Sequence, residues 1–355
     1  MTNNRLLWIS VISLMVIGLV SMYFIGPYAV AKYGMTESYG PNLVFNKYFP
    51  YIIVGVLLML GCSRLSPKWV LRTSWVLGII SLVLMLMTVV MPHTIHGSAR
   101  YVILGGIPID PFVMMLPAYV VWMAHWLGKD KKDQTWVTVG ATILTMFIVC
   151  AAFMAPYMFM AQVYLLLFLF MGIAARKTSP GVFHTSIIML AVFIAFMVLG
   201  FVMMPHVQYR MLGILHGTNY ASAMSMEAIK NSALIGSTTE SLSALSKMPD
   251  SITVFILSSI VAKFGILLGV TVAVLMGFLG MGIGATVSGA KDQFAKFLSL
   301  GVFEAFGIFV LLAMLVSLNF ILIAAHWPII GFGGTMTLSW CTMFGFVIAM
   351  NKNNK

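Results

Sequence analysis

Charge is what this 355-residue chain has least of: Asp, Glu, Lys and Arg together make up 8% of it, against 61% hydrophobic residues. A soluble domain carries about 25% charged residues. A globule facing water on all sides is therefore excluded, because too few polar side chains exist to cover one. Acids are scarcer than bases, nine against twenty. Cysteine is nearly missing, and Cys62, Cys150 and Cys341 stand far apart in or beside apolar runs. That excludes a disulfide framework and a thiolate metal site. The sequence also lacks a G-x-x-x-x-G-K phosphate loop, a Ser/His/Asp arrangement, an internal repeat and any low-complexity tract.

Long apolar runs dominate, and the mean hydropathy is +1.02. Crossing a bilayer core takes about 20 apolar residues per helix. Ten stretches qualify: 6–26, 47–62, 73–91, 110–127, 135–155, 157–174, 186–204, 252–276, 297–324 and 328–349. They are continuous rather than alternating, which argues against a barrel. Helices pair their own backbone amides and so can span alone. The first stretch is too long for a cleaved signal and lacks an A-x-A site, so it reads as a retained helix. The fold predicted is an all-α polytopic membrane protein of about ten spans, forming a single domain over 1–355.

The net charge of +11 invites a nucleic-acid partner, but its placement argues against one. With both termini in the cytoplasm, thirteen of the twenty basic residues fall inside. Six fall outside: Lys32, Lys47, Arg100, Arg210, Lys230 and Lys247. This is the positive-inside bias, and it accounts for the charge without a polyanion. Inner loops such as "GKDKKDQ" (128–134) are short and basic, whereas 205–251 forms one large outer loop between spans seven and eight. Within it "MEAIKNSALIGS" (226–237) predicts a short interfacial helix. A basic outer face suits an anionic ligand; ordinary solvated loop charge is the plainer reading.

"GMGIGA" (280–285) resembles a dinucleotide fingerprint, but that motif needs a strand before it. Small residues that let helices approach explain it better. His93 and His96 have no acidic or Cys neighbour in sequence, a poor metal set, and His125 reads as a packing residue. No metal or cofactor is expected, with a divalent cation left open. Two ionisable residues, Lys263 and Glu304, fall inside predicted spans near mid-depth. Such residues are functional candidates by default; a buried ion pair between them is the simpler expectation.

Three segments, in order, resemble the SEDS family (FtsW/RodA/SpoVE) of bacterial wall synthesis. "GSARYVILGGIPIDP" (97–111) is similar to the family's G-A-x-R-W-I-x-L-G…Q-P-S-E. "MPDSITVFILSSIVAKFG" (248–265) is similar to L-P-E-A-H-T-D-F-I-F-A-V-I-x-E-E-L-G, and "WPIIGFGGTM" (327–336) to L-P-F-I-S-Y-G-G-S-S. "YRMLGIL" (209–215) adds a weaker match. The resemblance implies a multi-pass protein of the bacterial cytoplasmic (inner) membrane. It implies polymerisation of an undecaprenyl-pyrophosphate-linked precursor (lipid II) outside that membrane, in cell division or elongation. Its partners would be a penicillin-binding transpeptidase and other divisome or elongasome membrane proteins, with no nucleic acid.

The departures from the family pattern fall on the acids. The family's Asp in H-T-D-F falls on Val254, the Glu of L-P-E on Asp250, and the E-E pair on Ala262 and Lys263. What matches is Arg100, Arg210, Pro249, Gly265, Pro328, Gly333 and Gly334. The resemblance therefore assigns phosphate contact to Arg100 and Arg210, and the catalytic carboxylate to Asp250. It leaves the prolines and glycines to shape the backbone. In a helix, Asp250 and Val254 would share one face; the competing role for Asp250 is to cap the eighth span. Two further readings stay open. One is a catalytically inactive scaffold for the transpeptidase; the other is a flippase or transporter working through Lys263 and Glu304.

Overall fold

The computed structural model describes residues 2–32, 42–90, 93–95, 98–128, 134–203, 212, 220–321 and 324–353. Helix is the dominant element, as backbone pairing in lipid demands. In chain order the helices are α1 (Thr2–Lys32), α2 (Leu43–Cys62), α3 (Pro67–Val90), α4 (Pro111–Leu127), α5 (Gln134–Met154), α6 (Met158–Ala174) and α7 (Pro180–Met203). Then come α8 (Tyr220–Lys230), α9 (Thr239–Lys247), α10 (Ile256–Phe264), α11 (Ile266–Gly289), α12 (Gln293–Ser317) and α13 (Gly334–Asn353). Seven of these, α1, α2, α3, α5, α7, α11 and α12, are long and apolar enough to cross a membrane. The 17-residue α4 and α6 are shorter apolar helices. With the 20-residue α13, helices fall in all the predicted stretches, and the chain is a multi-pass membrane protein.

Prolines open α3, α4 and α7, where a missing N–H is harmless. Helix α4 is buried on nearly every face, the expected fate of a helix apolar all round. It packs on α3, where Gly78 leaves room for the Trp122 indole that any Cβ would strike.

Three differences from the sequence reading matter. The segment before α4 is a small antiparallel meander, β1 (His93–Ile95), β2 (Ser98–Leu104) and β3 (Ile107–Ile109), in that order. Gly105 and Gly106, both at positive φ (58° and 81°), make its two-residue turn between Leu104 and Ile107, as such hairpins require. The stretch 252–276 is not one helix: α10 stops at Gly265, φ 97°, and α11 begins afresh. The interfacial helix predicted over 226–237 is α8, which already ends at Lys230, so 232–237 is a turn.

By contacts the chain divides into two compact units, each built from three segments. The first comprises Met1–Val54, Val198–Met281 and Phe309–Gly334; the second comprises Gly55–Met197, Gly282–Ile308 and Thr335–Lys355.

Candidate functional site

In the first unit the segment carrying Asp250 is a turn rather than a helix. The Asp250 carbonyl accepts from Thr253 N and Phe255 N, both at 3.1 Å. The Ser259 hydroxyl donates to the Ser251 carbonyl at 2.7 Å. Asp250 itself has φ 51°, a left-handed conformation that Asp tolerates better than most residues. Helix α10 starts at Ile256 behind Phe255, with no side-chain cap. Asp250 is therefore neither the cap of that helix nor on one helical face with Val254. Both expectations fail because Pro249 precedes a turn instead of opening a helix. The Asp250 side chain is exposed, while Val254 is only 4% exposed.

The loop 327–334 holds this turn in place. Phe332 N donates to the Ile252 carbonyl at 2.8 Å, and Ile330 N to the Pro328 carbonyl at 2.8 Å. Ile329 between them has φ 69°, a costly position for a β-branched residue. Its carbonyl accepts from the Tyr48 hydroxyl of α2 at 2.6 Å. Gly334 lies where any Cβ would enter the Tyr51 ring, so the close approach of loop to helix requires glycine there. Pro249, Pro328 and Gly334 thus shape one backbone constellation with Asp250 at its exposed edge. Gly333 lies in the same loop.

Lys263 lies in the first unit and Glu304 in the second. Among the described residues neither makes an ion pair: Lys263 Nζ donates to the Tyr28 hydroxyl of α1 at 3.2 Å and lies 5.2 Å from that ring's centroid. Glu304 Oε2, midway along α12, is buried without a hydrogen-bond partner. The break at Gly265 explains part of this. It leaves Lys263 in the last turn of α10, ahead of α11.

The second unit holds Arg100 on β2. Its guanidinium lies 4.8 Å from the Tyr101 ring centroid and 4.4 Å from that of Tyr157, and Nη2 donates to the Tyr101 hydroxyl at 2.7 Å. Its Nε is buried without a partner. Asp110, 6% exposed, lies in the segment that leaves β3 and caps α4 from outside the helix. Its Oδ1 accepts from Phe112 N and Val113 N at 3.1 and 3.2 Å, and its own N–H donates to Thr335 Oγ1 at 3.2 Å. Burial pushes the Asp110 carboxyl up to about 6, opposed by Arg100, by those amides and by the Tyr157 hydroxyl. That hydroxyl is close enough to act on Asp110 but not in hydrogen-bond geometry.

Arg100 is thus half-buried and already engaged by protein groups, more so than a free phosphate ligand would be. Arg210 lies outside the described residues. Sequence spacing singled out neither Asp110 nor Tyr157. A Tyr between two apolar helices was the available signal, but nothing in one dimension ties residue 157 to residue 100. Among the described residues no three His, Cys, Asp or Glu side chains gather as a metal set.

The fold and these constellations define a polytopic membrane protein with polar groups fixed in the turns beside its helices. The model of the FtsW/RodA/SpoVE family, described as cell cycle protein, matches residues 4–355, and the chain belongs to that family. It is 22% identical over 355 residues to a probable peptidoglycan glycosyltransferase FtsW of Caulobacter vibrioides, covering 98% of this chain and 89% of that one. Against the Borreliella burgdorferi protein of the same description it is 23% identical over 332 residues, 88% of each chain. Among solved structures it is similar to a chain from a peptidoglycan synthase complex that coordinates polymerization and crosslinking. That match has a TM-score of 0.76 and 18% identity, over 98% of this chain and 97% of that one. The rod shape determining protein RodA of Thermus thermophilus gives a TM-score of 0.67 at 16% identity, over 98% and 96%.

Proposed function

We propose that this chain acts in cell-wall synthesis at the outer face of a bacterial cytoplasmic membrane, extending a glycan from a polyprenyl-pyrophosphate-linked precursor. Family membership supports the substrate class, and the curated relatives bear the glycosyltransferase description. The observation that carries the reading is Asp250, an exposed carboxylate on a turn fixed at both ends by backbone hydrogen bonds. Glycosyl transfer to a sugar hydroxyl needs a base to take its proton and positive charge where the pyrophosphate departs. Asp250 is the proposed base. Arg210 is the proposed phosphate contact; the resemblance assigns the same role to Arg100, which in the second unit is held by Tyr101 and Tyr157. The likeness to a chain of a synthase complex supports a penicillin-binding transpeptidase as partner.

A second reading rests on Val254. The position where the family carries its Asp is apolar and buried here, which favours a non-polymerising relative that keeps the fold and its partner surface. One assay separates the two: polymerisation of lipid-linked precursor by the purified protein in liposomes, with its transpeptidase. A base at Asp250 predicts that Asp250→Asn loses the glycan product while folding normally, and that Val254→Asp keeps or raises it. Inactivity of both wild type and Val254→Asp would leave the scaffold.

A further inference from the structure

The turn between α8 and α9 holds two adjacent apolar side chains turned outward, Leu234 (68% exposed) and Ile235 (72%). Their surroundings are otherwise polar: Asn231 and Ser232 precede them, and Ser237, Thr238 and Thr239 follow. Two such residues at the tip of a turn in water would be an unfavourable arrangement. The backbone here is unusually well paired for a turn. Gly236 N donates to the Phe264 carbonyl at 2.9 Å, and the Ala233 and Leu234 carbonyls accept from Ile266 N and Leu267 N at 3.0 and 3.1 Å. Gly265 makes the contact possible: a Cβ there would lie 2.7 Å from the Ile235 Cα, and its φ of 97° suits glycine alone.

These bonds fix the turn against the first residues of α11, whose own exposed residues include Ile266, Leu267 and Val270. Helix α11 is long and apolar enough to cross a membrane, and an exposed apolar stripe on such a helix is suited to acyl chains. The apolar tip continues it. Non-helical backbone is excluded from hydrocarbon when its amides are unpaired; here those facing α11 are paired.

We propose that residues 232–237 form a lip seated in the outer-leaflet boundary between headgroups and acyl chains, with Leu234 and Ile235 inserted as anchors. The occupant of this surface is lipid. Seating at such a boundary reaches about 5–10 Å into the leaflet, which leaves the polar flanks at headgroup level. The inference is independent of whether the protein polymerises glycan.

The test uses the full chain with Cys62, Cys150 and Cys341 replaced by alanine, reconstituted in phosphatidylcholine–phosphatidylglycerol nanodiscs. A single cysteine at Leu234, Ile235 or the exposed polar control Ser246 carries an environment-sensitive fluorophore. The lip predicts blue-shifted emission at Leu234→Cys and Ile235→Cys relative to Ser246→Cys. It predicts quenching there by nitroxide placed near the headgroup end of the acyl chains, and little by aqueous iodide. Water-like emission with iodide quenching would overturn the proposal. So would blue-shifted emission that lipid nitroxide fails to quench, which would mean a second copy or another protein covers the tip.

Discussion

At Arg100 a cation is flanked by two phenol rings and opposed to a buried carboxylate, so removing it has two effects. Arg100→Ala loses contacts worth about 1–2 kcal/mol together, and it leaves Asp110 uncompensated. The Asp110 carboxyl already titrates above its ordinary 3.8, at about 6. Its folded form therefore favours the proton. The associated stability is fully present below the unfolded value and is lost as pH rises through the folded one. Without Arg100 that folded value rises further. Arg100→Ala should thus lower thermal stability more at pH 8 than at pH 4, a difference that melting curves in detergent at the two pH values would reveal. An equal loss at both would mean the two groups are uncoupled. Arg100, Pro249 and Pro328 were legible in the sequence because they stand inside ordered motifs. Asp110 and Tyr157 were not, because their importance comes from who meets whom across a fold rather than from spacing.

Among elements, the break between α10 and α11 changes most. An unbroken apolar run carries no mark of a hinge except its glycines, and the run 252–276 has two, Gly265 and Gly269; the match of Gly265 to the family pattern does not say that the helix breaks there. Its role depends on the opposing turn, which no local pattern encodes. Because of the break, Lys263 meets Tyr28 of α1 instead of an acid. A double-mutant cycle of Lys263→Met and Tyr28→Leu should give a coupling of about 0.5–1 kcal/mol in thermal or denaturant unfolding. Additive losses would dissociate the two. The apolar helices themselves were readable, since long continuous apolar runs have few alternatives. The meander before α4 was not, for its strands are three to seven residues long and its pairing is set by a Gly-Gly turn.

At the scale of the whole molecule, the charge asymmetry predicts an orientation with the termini in the cytoplasm. Helix α11 has 24 residues, about 36 Å at 1.5 Å per residue, enough to cross a core about 30 Å thick. Cysteines at Ser246, ahead of the helix in sequence, and at Ser288, in its last turn, both exposed, should react with a membrane-impermeant maleimide from opposite faces, the first outside and the second inside. Reaction from one face only would refute the orientation and the span together.

The first compact unit also has a history written into its segments. Tyr48 and the Ile329 carbonyl it bonds are 281 residues apart in sequence, and the unit is completed only by Phe309–Gly334. At about 5–20 residues per second, a ribosome inserting α2 runs on for roughly 14–56 s before that acceptor exists. During that interval the Tyr48 hydroxyl must find another companion, in the insertion machinery or the lipid interface. The unit that carries Asp250 is therefore completed late, after nearly the whole chain has been made.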